Sequence, residues 1–268
     1  MAFVHCSYYS SSLGYETDLN VIIPSPGAEE ILTHSDTSFF YEGVRFPVLY
    51  LLHGAYGDYS DWSRKSNVEL YANQHRLCVV MASAENSFYQ DMDRGNAFDS
   101  FITKEVPEYV ERLFPVSKRM EDRYIAGLSM GGYGALHLAL EYPERYFAAI
   151  TLSGAVDMVY HLEHSKPGTP DPFPWQAIFK NTSTIPGSDA DVYHQIEQDK
   201  KEGKRLPFVF QSCGTEDFLH EMNKQAFTRF KKMGLPVTYD EDKGIHDWKY
   251  WDASIQRAFT WLDGKRGI

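Results

Sequence analysis

The sequence predicts an α/β fold, with a mostly parallel central sheet, helices on both of its faces and one short cap insertion. Three observations carry this. Residues 46–52 and 77–84 are nearly continuous apolar runs, the pattern of strands buried on both faces. Such runs alternate with stretches of helical periodicity, as parallel strands joined by crossover helices require. The chain of 268 residues, 43% hydrophobic and 24% charged, shows no repeat of fixed period, which suits one domain over 1–268 with a single large core.

Along the chain, residues 3–9 and 17–24 alternate as two antiparallel strands, with Leu13 and Gly14 in the turn between them. Residues 25–37 are polar and read as a surface loop. After the 46–52 strand, 62–75 reads as one helix, and 77–84 as the next buried strand. Residues 96–114 place Phe98, Phe101, Ile102, Val106, Tyr109, Val110 and Leu113 at helical spacing, with Pro107 expected to kink or break the helix. A strand at 124–127 leads to a helix at 132–141, stopped near Pro143. Further strands are expected at 147–153, 208–212 and 238–241, before a closing helix. Residues 158–186 interrupt this rhythm with Pro167, Pro170, Pro172, Pro174 and Pro186 among Phe173, Trp175 and Phe179. So long a loop in a compact domain is usually functional, and it is expected to lie as a cap over the carboxyl ends of the strands.

Composition narrows the function classes. The net charge of −11 disfavours a nucleic-acid surface, which needs a cationic patch, and suits a small neutral substrate. The start lacks a basic and then apolar secretory signal, and no apolar run approaches the ~18 residues of a membrane span, so a cytoplasmic protein is expected. Cys6, Cys78 and Cys213 are far apart and odd in number, as buried free thiols would be. No phosphate-binding or dinucleotide-binding glycine motif appears, and no cofactor is expected. His161, Glu163 and His164, with Asp157 nearby, read as a solvated polar stretch, so no metal is expected either. Homo-oligomerisation stays open, because a sequence does not separate exposed apolar patches from core.

The chemistry centres on Gly127-Leu128-Ser129-Met130-Gly131, a serine between glycines where a short strand meets a helical pattern. That is the form of a nucleophile elbow, in which the strained turn lifts Oγ above the sheet and leaves no room for neighbouring Cβ atoms. A serine hydroxyl is a poor nucleophile at neutral pH, so Ser129 needs a histidine base, held in turn by a carboxylate. In the expected order of serine, acid and histidine, Asp217 follows the 208–212 strand and His246 follows the 238–241 strand. Glu216 is the nearest rival acid, while Asp247 reads as a helix N-cap. The oxyanion formed on attack needs two backbone N–H donors. Met130 follows the nucleophile, and Ala55 follows His53-Gly54 after the 46–52 strand. His53 is expected to bond backbone within that turn. Tyr56, Tyr59, Trp62, Phe88, Tyr89 and Trp175 fall in loops near the strand ends, and of these Tyr56, Trp62, Phe88 and Trp175 are the candidate substrate contacts. Trp248, Tyr250 and Trp251 read as packing residues of the closing helix.

Taken together, Leu51-Leu52-His53-Gly54 with Trp62, Asn86-Ser87-Phe88-Tyr89, Gly127 through Ala135, Cys213-Gly214-Thr215-Glu216-Asp217-Phe218-Leu219 and Gly244-Ile245-His246-Asp247-Trp248-Lys249-Tyr250-Trp251 resemble one group of the α/β-hydrolase superfamily. That group contains esterase D, bacterial tributyrin esterases and feruloyl or acetyl-xylan esterases, and the resemblance runs from about residue 45 to the end. It implies a serine carboxylesterase acting on short-chain acyl or phenolic esters, with Ser129 as nucleophile, Asp217 as acid, His246 as base, and Ala55 and Met130 as oxyanion donors. S-formylglutathione hydrolases, similar overall, carry Leu-Thr-Cys after the His-Gly pair. This chain has Ala55-Tyr56-Gly57-Asp58 there, which weighs against a glutathione thioester. Acyl transfer to a sugar or alcohol by the same machinery, an S-formylglutathione hydrolase-like thioesterase and a catalytically silent binding relative are the alternatives.

Overall fold

The computed structural model describes residues 1–33, 43–164 and 173–267. Its eight strands are β1 (Ala2–Ser10), β2 (Tyr15–Ile23), β3 (Val48–Leu52), β4 (Cys78–Ala82), β5 (Arg123–Leu128), β6 (Ala148–Leu152), β7 (Phe208–Gly214) and β8 (Val237–Asp242). They form one sheet in the order β1-β2-β4-β3-β5-β6-β7-β8. β4 through β8 pair in parallel, whereas β2 joins β4, and β1 joins β2, antiparallel. The reversal between β1 and β2 passes through Gly14, whose φ of +76° lies in the left-handed region that glycine enters at little cost.

Period-two alternation divides the core into two layers. Val48, Tyr50 and Leu52 of β3 point into one and Leu49 and Leu51 into the other, which is why every residue of that strand is buried. The first layer is covered by α5 (Val106–Leu113), α6 (Met130–Glu141), α9 (Val192–Lys201) and α10 (His220–Met233). The second is covered by α2 (Asp61–Lys65), α3 (Val68–Gln74) and the closing α11 (Trp248–Arg266).

Several local expectations change. The 25–37 segment contains a helix, α1 (Ala28–Thr33), where the Gly27 N–H is capped by Glu30 Oε2 at 2.6 Å; residues 34–37 lie outside the described residues. The helix expected over 62–75 is two helices, because Ser66 is extended and its hydroxyl donates to the Trp62 carbonyl at 2.5 Å, ending the first turn run locally. Pro107 does not break the 96–114 helix. α4 (Phe98–Ser100) continues through a π-turn at Phe101–Glu105 into α5. Pro107 has no N–H for the Thr103 carbonyl four residues back, and Arg145 Nη1 takes that carbonyl instead at 2.6 Å. α9 and α10, which sequence reading did not mark, begin and end on local signals: Asp191 accepts from the Tyr193 N–H at 3.0 Å, and Gly234 closes α10 in the left-handed conformation.

The 158–186 segment holds α7 (Met158–Glu163), α8 (Trp175–Ile178) and a 3-10 turn at Thr182–Thr184. Its middle, including Pro167, Pro170 and Pro172, lies outside the described residues. Among the described residues, Cys6, Cys78 and Cys213 are free thiols, and no helix is long and apolar enough to cross a membrane.

Candidate active site

β5 lies near the middle of the sheet, and its carboxyl end turns sharply into α6 at Ser129. That residue has φ 54° and ψ −117°, a conformation non-glycine residues adopt only when their surroundings enforce it. The Ser129 N–H donates to the Leu152 carbonyl at 2.9 Å, and the flanking glycines leave space for the turn. A Cβ on Gly127 would meet the Gly131 carbonyl oxygen at 2.2 Å, and one on Gly131 would meet the His53 carbonyl oxygen at 2.5 Å. Tyr56, Phe88, Tyr89 and Ser153, all in loops beside the elbow, also have positive φ.

Ser129, His246 and Asp217 stand in a hydrogen-bonded line. His246 Nε2 is 3.0 Å from Ser129 Oγ, and Nδ1 is 3.0 and 2.9 Å from the two Asp217 oxygens. With Nδ1–H donating to the carboxylate, Nε2 is left to accept the serine proton. Burial works against the Asp217 charge. The hydrogen bond from His246 and its charge, with the Leu219 N–H at 2.8 Å, outweigh burial and hold the carboxyl below its usual range. Glu216, next in sequence, is instead more than half exposed and lies 3.9 Å from Lys243 Nζ. Asp247 caps α11, accepting from the Tyr250 N–H at 3.0 Å, and so fixes the start of the helix next to His246.

The triad opens into a cavity of about 480 Å³. Ala55 and Met130 both line it, and neither amide N–H is engaged in a hydrogen bond among the described residues, which suits two donors for a developing oxyanion. His53 holds the donor loop in shape: Nδ1 meets the Gly54 carbonyl at 2.6 Å, Nε2 accepts the Ala84 N–H at 2.8 Å, and burial pushes the imidazole down.

The aromatic candidates separate. Tyr56 and Phe88 line the cavity together with Phe173 and His161; Tyr56 stacks on Phe173 at 5.8 Å, and Phe88 meets it edge-on at 5.1 Å. Trp175 does not reach the cavity but packs behind it against Phe88 at 4.7 Å. Trp62 does not reach it either. Its indole N–H needs a buried acceptor and finds the Leu52 carbonyl at 2.9 Å, which draws the ring down onto the sheet. Tyr89 is likewise buried, its hydroxyl donating to the His53 carbonyl at 2.9 Å, and Tyr59 does not line the cavity.

In the closing helix Tyr250 and Trp251 are buried in the core and Trp248 packs against it, as expected, but two of the three also face the cavity. Trp248 and Trp251 line the cavity; the Trp251 ring edge meets His246 at 4.9 Å, and Trp248 stands against Trp62 at 5.1 Å. Sequence reading also missed Phe218 and Leu219, next to Asp217, and the Asp61–Lys65 ion pair at 2.8 Å. The available signal was register: Trp248 and Trp251 are three apart on the first turn after His246, hence on one face. Asp157 accepts from the Tyr160 N–H at 2.9 Å as the N-cap of α7, while His161 turns to the cavity.

A parallel sheet with a serine elbow on a central strand, and a histidine and carboxylate at neighbouring strand ends, defines a serine hydrolase of the α/β-hydrolase class. The chain belongs to the Esterase family, whose model matches residues 32–262, and is a serine carboxylesterase. It is 31% identical to an acetyl esterase of Caldicellulosiruptor saccharolyticus over 98% of each chain. A fluorophosphonate-binding serine hydrolase of Staphylococcus aureus, solved with substrate bound, superposes with a TM-score of 0.86 at 32% identity, over 97% of this chain and 98% of that one. An S-formylglutathione hydrolase of the same organism gives 0.83 at 32% identity over the same shares. A ferulic acid esterase structure, at 23% identity and a TM-score of 0.78 over 98% of each chain, shares the fold.

Proposed function

We propose that this esterase hydrolyses short-chain acyl esters, acetyl esters foremost, through an acyl-enzyme on Ser129. The observation that carries the reading is the Ser129–His246–Asp217 line opening beside the Ala55 and Met130 amides. Ser129 Oγ attacks the ester carbonyl as His246 Nε2 takes its proton. The Ala55 and Met130 N–H groups bind the oxyanion, and His246 returns the proton to the leaving alcohol. Water, deprotonated by His246, then releases the acid.

Substrate range is set, on this reading, by the two groups of rings that line the cavity. Tyr56, Phe88 and Phe173 form one, with Phe173 contributed by the cap segment; Phe218, Trp248 and Trp251 form the other. The sequence similarity to an acetyl esterase supports a short acyl group, and the aromatic walls suit an apolar or aryl partner. The free thiols agree with a cytoplasmic setting.

The test is turnover of p-nitrophenyl esters of rising chain length, methyl ferulate, acetylated xylan and S-formylglutathione. Highest kcat/KM on acetyl or propionyl esters is expected; a preference for ferulate or the thioester would replace the proposed substrate. Ser129→Ala is expected to lower kcat by roughly 10⁴ to 10⁶ with Tm preserved, and near-normal turnover by that variant would remove Ser129 from its role. Product analysis with a competing alcohol separates hydrolysis from acyl transfer.

A further inference from the structure

Two turns beyond the nucleophile, on the far part of α6, stands a second cluster of ionisable groups that the esterase chemistry does not use. His137 and Glu141, four residues apart, share one face of α6, and Asp99 comes across from α4. Each of the three offers a ligand atom, and these atoms all lie within 4.8 Å of one another.

The cluster is short of positive charge. Among the described residues no lysine or arginine lies within 4.0 Å of either carboxylate. Thr103 Oγ1 donates to Asp99 Oδ1 at 3.0 Å, the Tyr142 phenol faces both carboxyl groups, and the two carboxyl groups lie within hydrogen-bonding reach of each other. A hydroxyl supplies a hydrogen bond but no compensating charge.

His137 is the independent observation. It is 1% exposed, and its ring nitrogens meet only poorly directed partners, none of them at good hydrogen-bond geometry. Nε2 lies 3.1 Å from Glu141 Oε2, off the direction of a ring N–H; Gln195 and the Asp189 backbone are its other polar neighbours. Tyr133 stacks on the ring at 5.4 Å and fixes its plane.

We propose that Asp99, His137 and Glu141 form a binding site for a divalent transition-metal cation, Zn²⁺ in the first instance. A divalent ion that releases the proton held between the two carboxyl groups balances their two charges, and the imidazole favours Zn²⁺ over Ca²⁺ and Mg²⁺, which take oxygen ligands. The bound ion ties the end of α6 to α4, about 12 Å along the helix from the elbow. Its role is structural and independent of the proposed substrate.

The test uses the full chain, stripped with EDTA, dialysed, and titrated with ZnCl₂ by calorimetry and by thermal unfolding. One equivalent should bind, and Tm should rise by several degrees at ~100-fold excess over Kd. Glu141→Gln, close to isosteric, and His137→Gln should each lose that equivalent and that rise, while a His161→Ala, His164→Ala double variant keeps both. Binding that survives in Glu141→Gln would overturn the site. So would wild-type protein that neither binds nor is stabilised by Zn²⁺; a metal-free Tm raised by Glu141→Gln would then mark Asp99 and Glu141 as a proton-sharing pair.

Discussion

At the scale of single residues, Asp217 shows how the site balances opposing terms. Its side chain is wholly buried, which alone would favour the neutral acid; His246 and the Leu219 N–H reverse that. Asp217→Asn keeps the shape but favours the wrong imidazole tautomer, and kcat on p-nitrophenyl acetate is expected to fall by ~10⁴. A linked effect on stability follows. The folded-state pKa lies below the unfolded value of about 3.9, so the stabilisation from the Asp217 charge is fully present above that pH and disappears as pH falls through the lowered value. The Tm difference between wild type and Asp217→Asn should therefore be widest above pH ~4 and narrow on further acidification. A difference that grows in acid would contradict this sign.

At the scale of elements, the junction of β5 with α6 is the demanding one. The helix packs so closely over the strands that Gly131 sits against the His53 and Leu52 carbonyls, 2.5 and 2.8 Å from where a Cβ would be. Both contacts are backbone, so no side-chain rotation relieves them. Gly131→Ala is expected to destabilise by about 1–3 kcal/mol or more and to shift both the Met130 amide and the Ala55 loop. Denaturant unfolding and a loss of kcat together check it; unchanged activity would show that the elbow has slack. The same junction was the most legible part of the sequence, because steric exclusion of Cβ leaves only glycine. The aromatic walls were less legible. Trp62 and Trp248 are both indoles beside motif residues, and only the Leu52 carbonyl, reached by the Trp62 N–H, decides which of them is withdrawn from the cavity.

At the scale of the whole molecule, the sheet couples the site to the core. β6 lies between β5 and β7, so its packing supports both the strand that leads into Ser129 and the strand that leads to Asp217. Ile150, at its centre, is fully buried against the α11 layer. Ile150→Ala should cost about 2–5 kcal/mol by lost burial and cavity formation, seen as a lower denaturation midpoint, with KM on p-nitrophenyl acetate little changed. A large change in KM at unchanged stability would mean that β6 positions the site more directly than its packing suggests.

The parallel sheet, the elbow at Ser129, the order of Asp217 and His246 along the chain and the loop carrying Ala55 were all legible in the sequence. Each is fixed by local or steric rules: apolar runs mark two-faced strands, glycine marks forbidden Cβ positions, and Asp247 marks a helix start. Only the tertiary structure decided which aromatics face the cavity, that Pro107 sits in an unbroken helix, and that Asp99 meets His137 and Glu141. Those outcomes depend on partners distant in sequence: the Leu52 carbonyl for Trp62, Arg145 for the Thr103 carbonyl, and the approach of α4 to α6 for the Asp99 and Glu141 carboxyl groups. A burial pattern states that a side chain is inside, but which polar atom it meets there is settled by the packing of elements across the sheet.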